Sequence, residues 1–317
     1  MSNTMNGIQD RDVIKLSIIV RIVAGENFLI RLLEHLLPQI EGRSVEVIVP
    51  YDVSISGVGE QEARYSGVRF VDLGEIGTDA QPGTFTAQHE LIDRCTSNGL
   101  DIAQGEILCL LEDSAVPDPD WCEQVLEAHR LPYDVIGGSI EHTGKGALNW
   151  AVYFQDFGRY MIPLQEGQVR YISDVNISYK REALMNAGQL WRDRYNEITV
   201  NLGLVKKGVV LWLRPQMVVR QDRGVLNFKD LLGERYAWGR IFAVSRLKEI
   251  KPLTRLLYIT FSPAIPLVVL GRIVWKVLRS RRNRMKLICS LPYLIMLTVV
   301  WTLGELVGYV TGVPSGS

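Results

Sequence analysis

Cysteine and histidine are scarce in this chain, with four of each in 317 residues, and formal charge is balanced at 35 Lys and Arg against 35 Asp and Glu. Cys95, Cys109, Cys122 and Cys289 show no Cys-x-x-Cys spacing, and Cys109 lies inside an apolar run. That pattern excludes a zinc ribbon or a disulfide framework and fits free thiols in a reducing compartment. No Gly-rich N-terminal loop with Arg and Lys is present, which argues against a nucleotidyltransferase. No basic stripe follows a polar face, so nucleic acid is not an expected partner. Residues 1–12 are polar, of mixed charge and without an apolar core; they read as a loose leader, not a signal peptide.

Charge is nevertheless unevenly placed. Residues 231–317 hold 13 Lys and Arg against 3 Glu, which leaves 22 against 32 in residues 1–230. An acidic body with a basic, apolar tail suggests a tail held against anionic lipid. In the body, short apolar runs alternate with helical spacing: Ile14–Ile22, then Phe28, Leu29, Leu32, Leu33 and Leu36, then Val45–Val49 and Val68–Val71, then a helix over about 86–103. This order predicts an α/β fold with a doubly wound, mainly parallel sheet flanked by helices.

The informative stretch is Gly105–Trp121. Ile107–Leu111 reads as a strand buried on both faces, and it ends in two adjacent acids, Glu112 and Asp113. Open α/β sheets bind ligands outside the carboxyl ends of their strands. Two carboxylates there suit a divalent cation that carries phosphates. Pro117 and Pro119 then enforce an extended exit before a helix that begins near Trp121.

The run from Ala103 to Trp121, with Leu-Glu-Asp-Ser followed by Pro-Asp-Pro-Asp-Trp, resembles the metal and nucleotide-sugar segment of family 2 glycosyltransferases of the GT-A fold. Asn176–Leu184 resembles the segment that follows their donor site, and the likeness extends over about residues 14–225. It implies a GT-A domain over 13–225 in which Asp113 is the first metal ligand, joined by Glu112 and by Gln221, which stands where many relatives have His. Ser114 replaces the third acid of the family pattern. Asp52, after the second strand, and Arg94, before the Gly-containing turn, are implied to bind a nucleotide of the uridine type. The Pro-x-x-Asn that often follows the first strand is absent; Gly25 remains to allow a tight turn there. Glu197, at the start of a helix running to Lys206, matches the acid that acts as general base, although the helix dipole alone would also favour an acid at that point. The implied cofactors are Mg²⁺ or Mn²⁺ and a nucleotide-diphosphate sugar.

Beyond residue 225, Phe228–Ser245 mixes aromatics and cations as interfacial helices do, giving an interfacial region over 226–252. Residues 253–312 read as membrane-embedded. Of these, 256–278 are re-entrant or spanning, because Leu256–Gly271 is short for a bilayer core and holds Pro263 and Pro266; 287–310 is expected to span. The Gln-x-x-Arg-Trp motif of processive synthases is missing. The resemblance therefore implies a non-processive, inverting hexosyltransferase acting in polysaccharide biosynthesis at the cell inner membrane. Its catalytic domain would be cytoplasmic, its partners a glycan or lipid-linked acceptor and membrane lipids. Polyprenyl phosphate as direct acceptor and a catalytically inactive scaffold are the alternatives.

Overall fold

The computed structural model describes residues 13–247 and 250–313. The leader expected over 1–12 and the tail residue Lys248 lie outside them. In chain order the elements are β1 (Leu16–Arg21), α1 (Glu26–Ile40), β2 (Val45–Tyr51), β3 (Val68–Asp72), α2 (Phe85–Ile102), β4 (Ile107–Glu112), β5 (Ala115–Pro117), α3 (Trp121–Ala128), β6 (Val135–His142), α4 (Ala147–Asp156), β7 (Gly167–Val169), β8 (Asn176–Lys180), α5 (Arg181–Met185), α6 (Glu197–Lys206) and β9 (Leu211–Gln221). Four helices follow: α7 (Phe228–Leu247), α8 (Pro252–Phe261), α9 (Ile265–Ser280) and α10 (Arg284–Thr311).

One sheet runs β3-β2-β1-β4-β8-β6-β9-β5, with β7 against β9. The β3-β2-β1-β4 half is parallel throughout, as the alternation of apolar runs and helices requires. Leu16, Ile18, Ile19 and Val20 of β1 and Leu108–Leu111 of β4 are fully buried, which is the continuous apolar character of strands covered on both faces. β8 then pairs antiparallel with β4 and with β6, so the second half of the sheet is mixed. Leu211–Gln221 forms one long strand, β9. Its pairing with β6 jumps from Gly138↔Arg214 to Ser139↔Val218, and Pro215, which has no N–H for the ladder, lies in the bulge. Gly138 is needed there, because a Cβ would overlap the Met217 carbonyl.

Helix starts follow local chemistry. Thr84 caps α2 by accepting from the Ala87 amide at 3.2 Å, and Asn196 caps α6 by accepting from Thr199 at 3.1 Å. α1 buries Leu29, Leu32, Leu33 and Leu36, a single face at helical spacing. The aromatic run at 150–160 is core: Trp150, Tyr153 and Phe154 are buried and pack with Leu294 and Leu297 of α10. A 3₁₀ turn over Ser262–Ala264, at Pro263, separates α8 from α9. Pro252–Ser280 and Arg284–Thr311 are each long and apolar enough to cross a membrane, and are compatible with membrane association.

Candidate active site

β1 and β4 are parallel neighbours, and each continuous apolar run ends in a charge. Arg21 and Glu112 are opposite each other in the register, so both charges stand at the same edge of the sheet. Arg21 is buried. It donates to Asp174, to Thr96 Oγ1 at 3.1 Å and to Asp93 Oδ1 at 3.4 Å. Glu197, in the first turn of α6, accepts from the Tyr171 hydroxyl and from the Asp174 amide at 3.4 Å. Four carboxylates, Asp93, Glu112, Asp174 and Glu197, thus gather in the field of one guanidinium.

Burial sets their proton affinities first. It raises Glu197 to about 7 against the opposing pull of Arg21 and Arg159, and Glu112 adds to the rise. Asp93 is raised to about 8, again by burial, with Arg21 opposing and Asp174 and Glu197 reinforcing. Burial also raises Glu112 and Asp174, while Arg21 opposes both shifts. A cluster with more acids than cations retains protons near neutrality, which is the condition for a group that exchanges them.

Asp113 and Gln221 are placed differently from what the motif implies. Asp113 exposes no surface: its oxygens accept from the Ala24 amide at 2.9 and 3.0 Å and from the Gly25 amide at 2.8 Å. It fixes the β1–α1 turn, in which Gly25 takes φ 96°. The reason is geometric: Asp113 directly follows β4, its amide donates to the Arg21 carbonyl at 3.0 Å, and its side chain turns toward the neighbouring β1–α1 loop. Gln221 is 1% exposed and donates to Ser114 Oγ at 3.5 Å, and Ser114 donates to Glu112 at 2.5 Å. Of the three expected ligands, Glu112 is the one that joins the acid cluster.

Asp52 and Arg94 hold one loop between them. Asp52 accepts from Ser54 at 2.8 Å and Ile76 at 2.6 Å; burial would raise its proton affinity, but these bonds outweigh it and hold the carboxyl below its ordinary range. Arg94 donates to Glu90 at 2.8 and 3.1 Å and to Asp79 at 3.3 Å, while Glu90 accepts from the amides of Asp79 and Ala80. Asp52 also lies close enough to Cys95 to help raise that thiol to about 12, after burial as the main cause. Cys95 precedes Thr96, the partner of Arg21, so the Asp52 loop borders the acid cluster.

Among the described residues no group of three or more His, Cys, Asp and Glu is arranged to hold a metal ion. The donors at the place the motif indicates are the Glu112 carboxylate, the Ser114 hydroxyl and the Gln221 amide oxygen, which make no cage by themselves. They fit a cation of the magnesium type that takes one or two protein carboxylates and fills its shell with water and substrate phosphates. Two surface grooves of about 460 and 620 Å³ on α1 are lined by none of the cluster residues.

The sequence reading missed Arg21, Asp93, Tyr171 and Asp174 as members of the candidate site. A signal existed for Arg21: a charge closing a buried apolar run at the carboxyl end is the argument that picked out Glu112. Tyr171 and Asp93 had none, since a loop Tyr and a helical Asp are common and only the tertiary fold aims them inward.

No protein-family model matches the chain, and no curated protein matches it. A solved structure does: the mannosyltransferase PcManGT from Pyrobaculum calidifontis in complex with GDP-Man and Mn²⁺, at a TM-score of 0.57 and 14% identity, over 94% of this chain and 87% of that one. At that identity the likeness concerns architecture, and it establishes that this chain has a glycosyltransferase-like α/β fold with C-terminal apolar helices.

Proposed function

We propose that the protein transfers a sugar from a nucleotide-diphosphate donor to the hydroxyl of a glycan or lipid-linked acceptor, with inversion and without processivity. The observation that carries this reading is Glu197, a carboxylate raised to about 7 by burial and set beside Glu112 at the carboxyl edge of a glycosyltransferase-like sheet. A base with its affinity near the working pH both accepts a proton and gives it up. Glu197 takes the acceptor hydroxyl proton as that oxygen attacks the anomeric carbon from the face opposite the leaving diphosphate; the bond to the diphosphate oxygen breaks. A single carboxylate suffices for inversion.

Glu112, with Ser114 and Gln221 behind it, would meet a divalent cation brought in with the donor, and such a cation offsets charge on departing phosphate oxygens. The neighbour's Mn²⁺ supports this; its GDP-Man gives no support to the expected uridine preference, so the base of the donor is left open here. Asp113 serves the same site indirectly by fixing the 24–25 turn, and the loop held by Asp52 and Arg94 receives the nucleotide. The apolar C-terminal helices support a reaction held at a membrane, which in this reading is the cytosolic face of the cell inner membrane.

The test is a panel of nucleotide sugars crossed with glycan and polyprenyl-phosphate acceptors, run with and without chelator. Turnover with a hydroxyl acceptor should fall by about 10²–10⁴-fold in Glu197→Gln while calorimetric donor binding persists; near wild-type turnover would remove Glu197 as the base. A polyprenyl phosphate acceptor is favoured by the lipid-facing helices. Its phosphate arrives ionised and needs no base, so Glu197→Gln should spare that reaction.

A further inference from the structure

The apolar tail is expected to cross the bilayer at 287–310, but its packing points elsewhere. α10 lies side by side with α7 along most of its length. Phe228 meets Tyr293 edge-on with centroids 5.5 Å apart, Phe242 meets Trp301 at 6.0 Å, and Gly304 and Gly308 bring the backbone of α10 onto the carbonyls of Tyr236 and Arg240. Gly239 of α7 returns the contact against the Trp301 carbonyl. Residue numbers rise together in both helices, so they run parallel, in contact over about 20 Å at 1.5 Å per residue.

α7 cannot follow a span into hydrocarbon. Lys229 and Asp230 are exposed, and Arg235 is bonded to Asp156 of α4 and, at 2.9 Å, to Glu234. α4 in turn is tied to the sheet, where the Tyr153 hydroxyl donates to the Ile140 carbonyl of β6 at 2.8 Å. α10 is thereby fixed lengthwise to a layer that belongs to the sheet. Its best apolar window is 39% buried against the protein, whereas that of Pro252–Ser280 is 6% buried.

Cations hold both ends of α10. At its C-terminus Arg255 donates to the carbonyls of Tyr309 and Val310 at 2.7 and 3.0 Å, and Arg240 donates to Val313 at 2.9 Å. At its start stand Arg281, Arg282, Arg284 and Lys286, with Arg282 donating to the Ile162 carbonyl and to Glu141 at 3.0 and 3.2 Å. Cationic flanks mark the cytosolic side of a membrane segment, and here they occur at both ends. α8 and α9 return antiparallel along the outer side: Tyr258 stacks on Tyr309 at 5.3 Å and Lys276 reaches the Arg159 carbonyl. Leu256, Phe261, Leu267 and Trp275 on that side, with Ile288 and Leu303 of α10, are exposed apolar groups.

We propose that α8, α9 and α10 lie in the plane of one leaflet as a monotopic platform, apolar outward and ringed by arginines that meet anionic lipid headgroups, with no segment crossing the bilayer. This rests on the membrane association proposed above, and its test needs no turnover. The full chain, in a Cys289→Ser background, is inserted from outside into sealed vesicles of mixed zwitterionic and anionic phospholipid. One reporter is Arg281→Cys in the α9–α10 turn, read with a membrane-impermeant maleimide; the other is a C-terminal tag, read by added protease. Both should react without detergent at the rate seen after detergent, a ratio near one. A protected tag shows a single crossing and a protected turn shows a hairpin, and either overturns the platform while leaving membrane association and transfer intact. A chain recovered unbound from the vesicles overturns both the platform and the association.

Discussion

Two regions of this molecule bury charge, and they balance it differently. In the helical layer Arg223 and Arg235 face Glu234 and Asp156, two cations for two acids, with bidentate contacts at 2.9–3.1 Å between Arg223 and Glu234. At the edge of β1 and β4, four carboxylates surround Arg21. Matched burial fixes how helices dock and leaves nothing over for chemistry. Unmatched burial costs stability and is retained where it supplies a group that exchanges protons. On this criterion the acid cluster is the candidate for the proposed chemistry and the helical layer its mount.

The contrast breaks most visibly if the central cation of each region is removed. Arg21→Met and Arg235→Met should each destabilise by about 3–5 kcal/mol, because each leaves buried acids unpaired; the measurement is the midpoint of denaturant unfolding. Only Arg21→Met should also move the pH dependence of activity. If Arg21→Met costs under about 1 kcal/mol, the cluster is not organised by that guanidinium. Glu197→Gln comes next, with hydroxyl transfer reduced by about 10²–10⁴-fold and unfolding little changed. Gly304→Leu is smaller still, about 1–3 kcal/mol from forcing α10 off the Tyr236 carbonyl, and turnover per folded molecule should hold. A Gly304→Leu chain as inactive as Glu197→Gln would mean the helical layer takes part in the chemistry.

The same contrast separates what the sequence disclosed from what it concealed. The parallel half of the sheet was legible because β1, β2 and β4 are continuous apolar runs with helix-spaced segments between them. Glu112 and Glu197 were legible as acids at a strand end and a helix start. Asp113 holds the β1–α1 turn instead of joining the cluster because two adjacent acids point to opposite sides, and a linear motif does not say which one the preceding turn takes up. Arg21 with Asp93 and Asp174 required contacts across 72 and 153 residues, which no local pattern encodes. In the tail, length and hydropathy favoured a crossing at 287–310. They are blind to the glycines at 239, 304 and 308, which seat α10 on α7.

The finest test of the contrast is the response to pH. Asp93 lies at about 8 in the folded chain against an ordinary 3.8, and Glu197 at about 7 against 4.5. Between those limits the folded chain keeps protons that the unfolded chain releases, so stability falls as pH rises. Asp52 and Glu90 are shifted the other way, and their contribution is lost only as pH falls below the ordinary carboxyl range. Burial holds His89, His129 and His142 below the ordinary imidazole range, which works in the opposite sense up to about pH 7, so it is from about pH 7 to about pH 8 that the unfolding midpoint should decline, each extra retained proton contributing at most about 1.4 kcal/mol per pH unit. Hydroxyl transfer should rise from about pH 5.5 and level off above about 7, where Glu197 is ionised. Asp93→Asn should flatten part of the stability slope and leave the slope of activity in place, because it removes one retained proton and not the base. A midpoint that stays level or climbs toward pH 8 would mean that the four acids are already compensated, and the crevice would then differ from the helical layer in position alone.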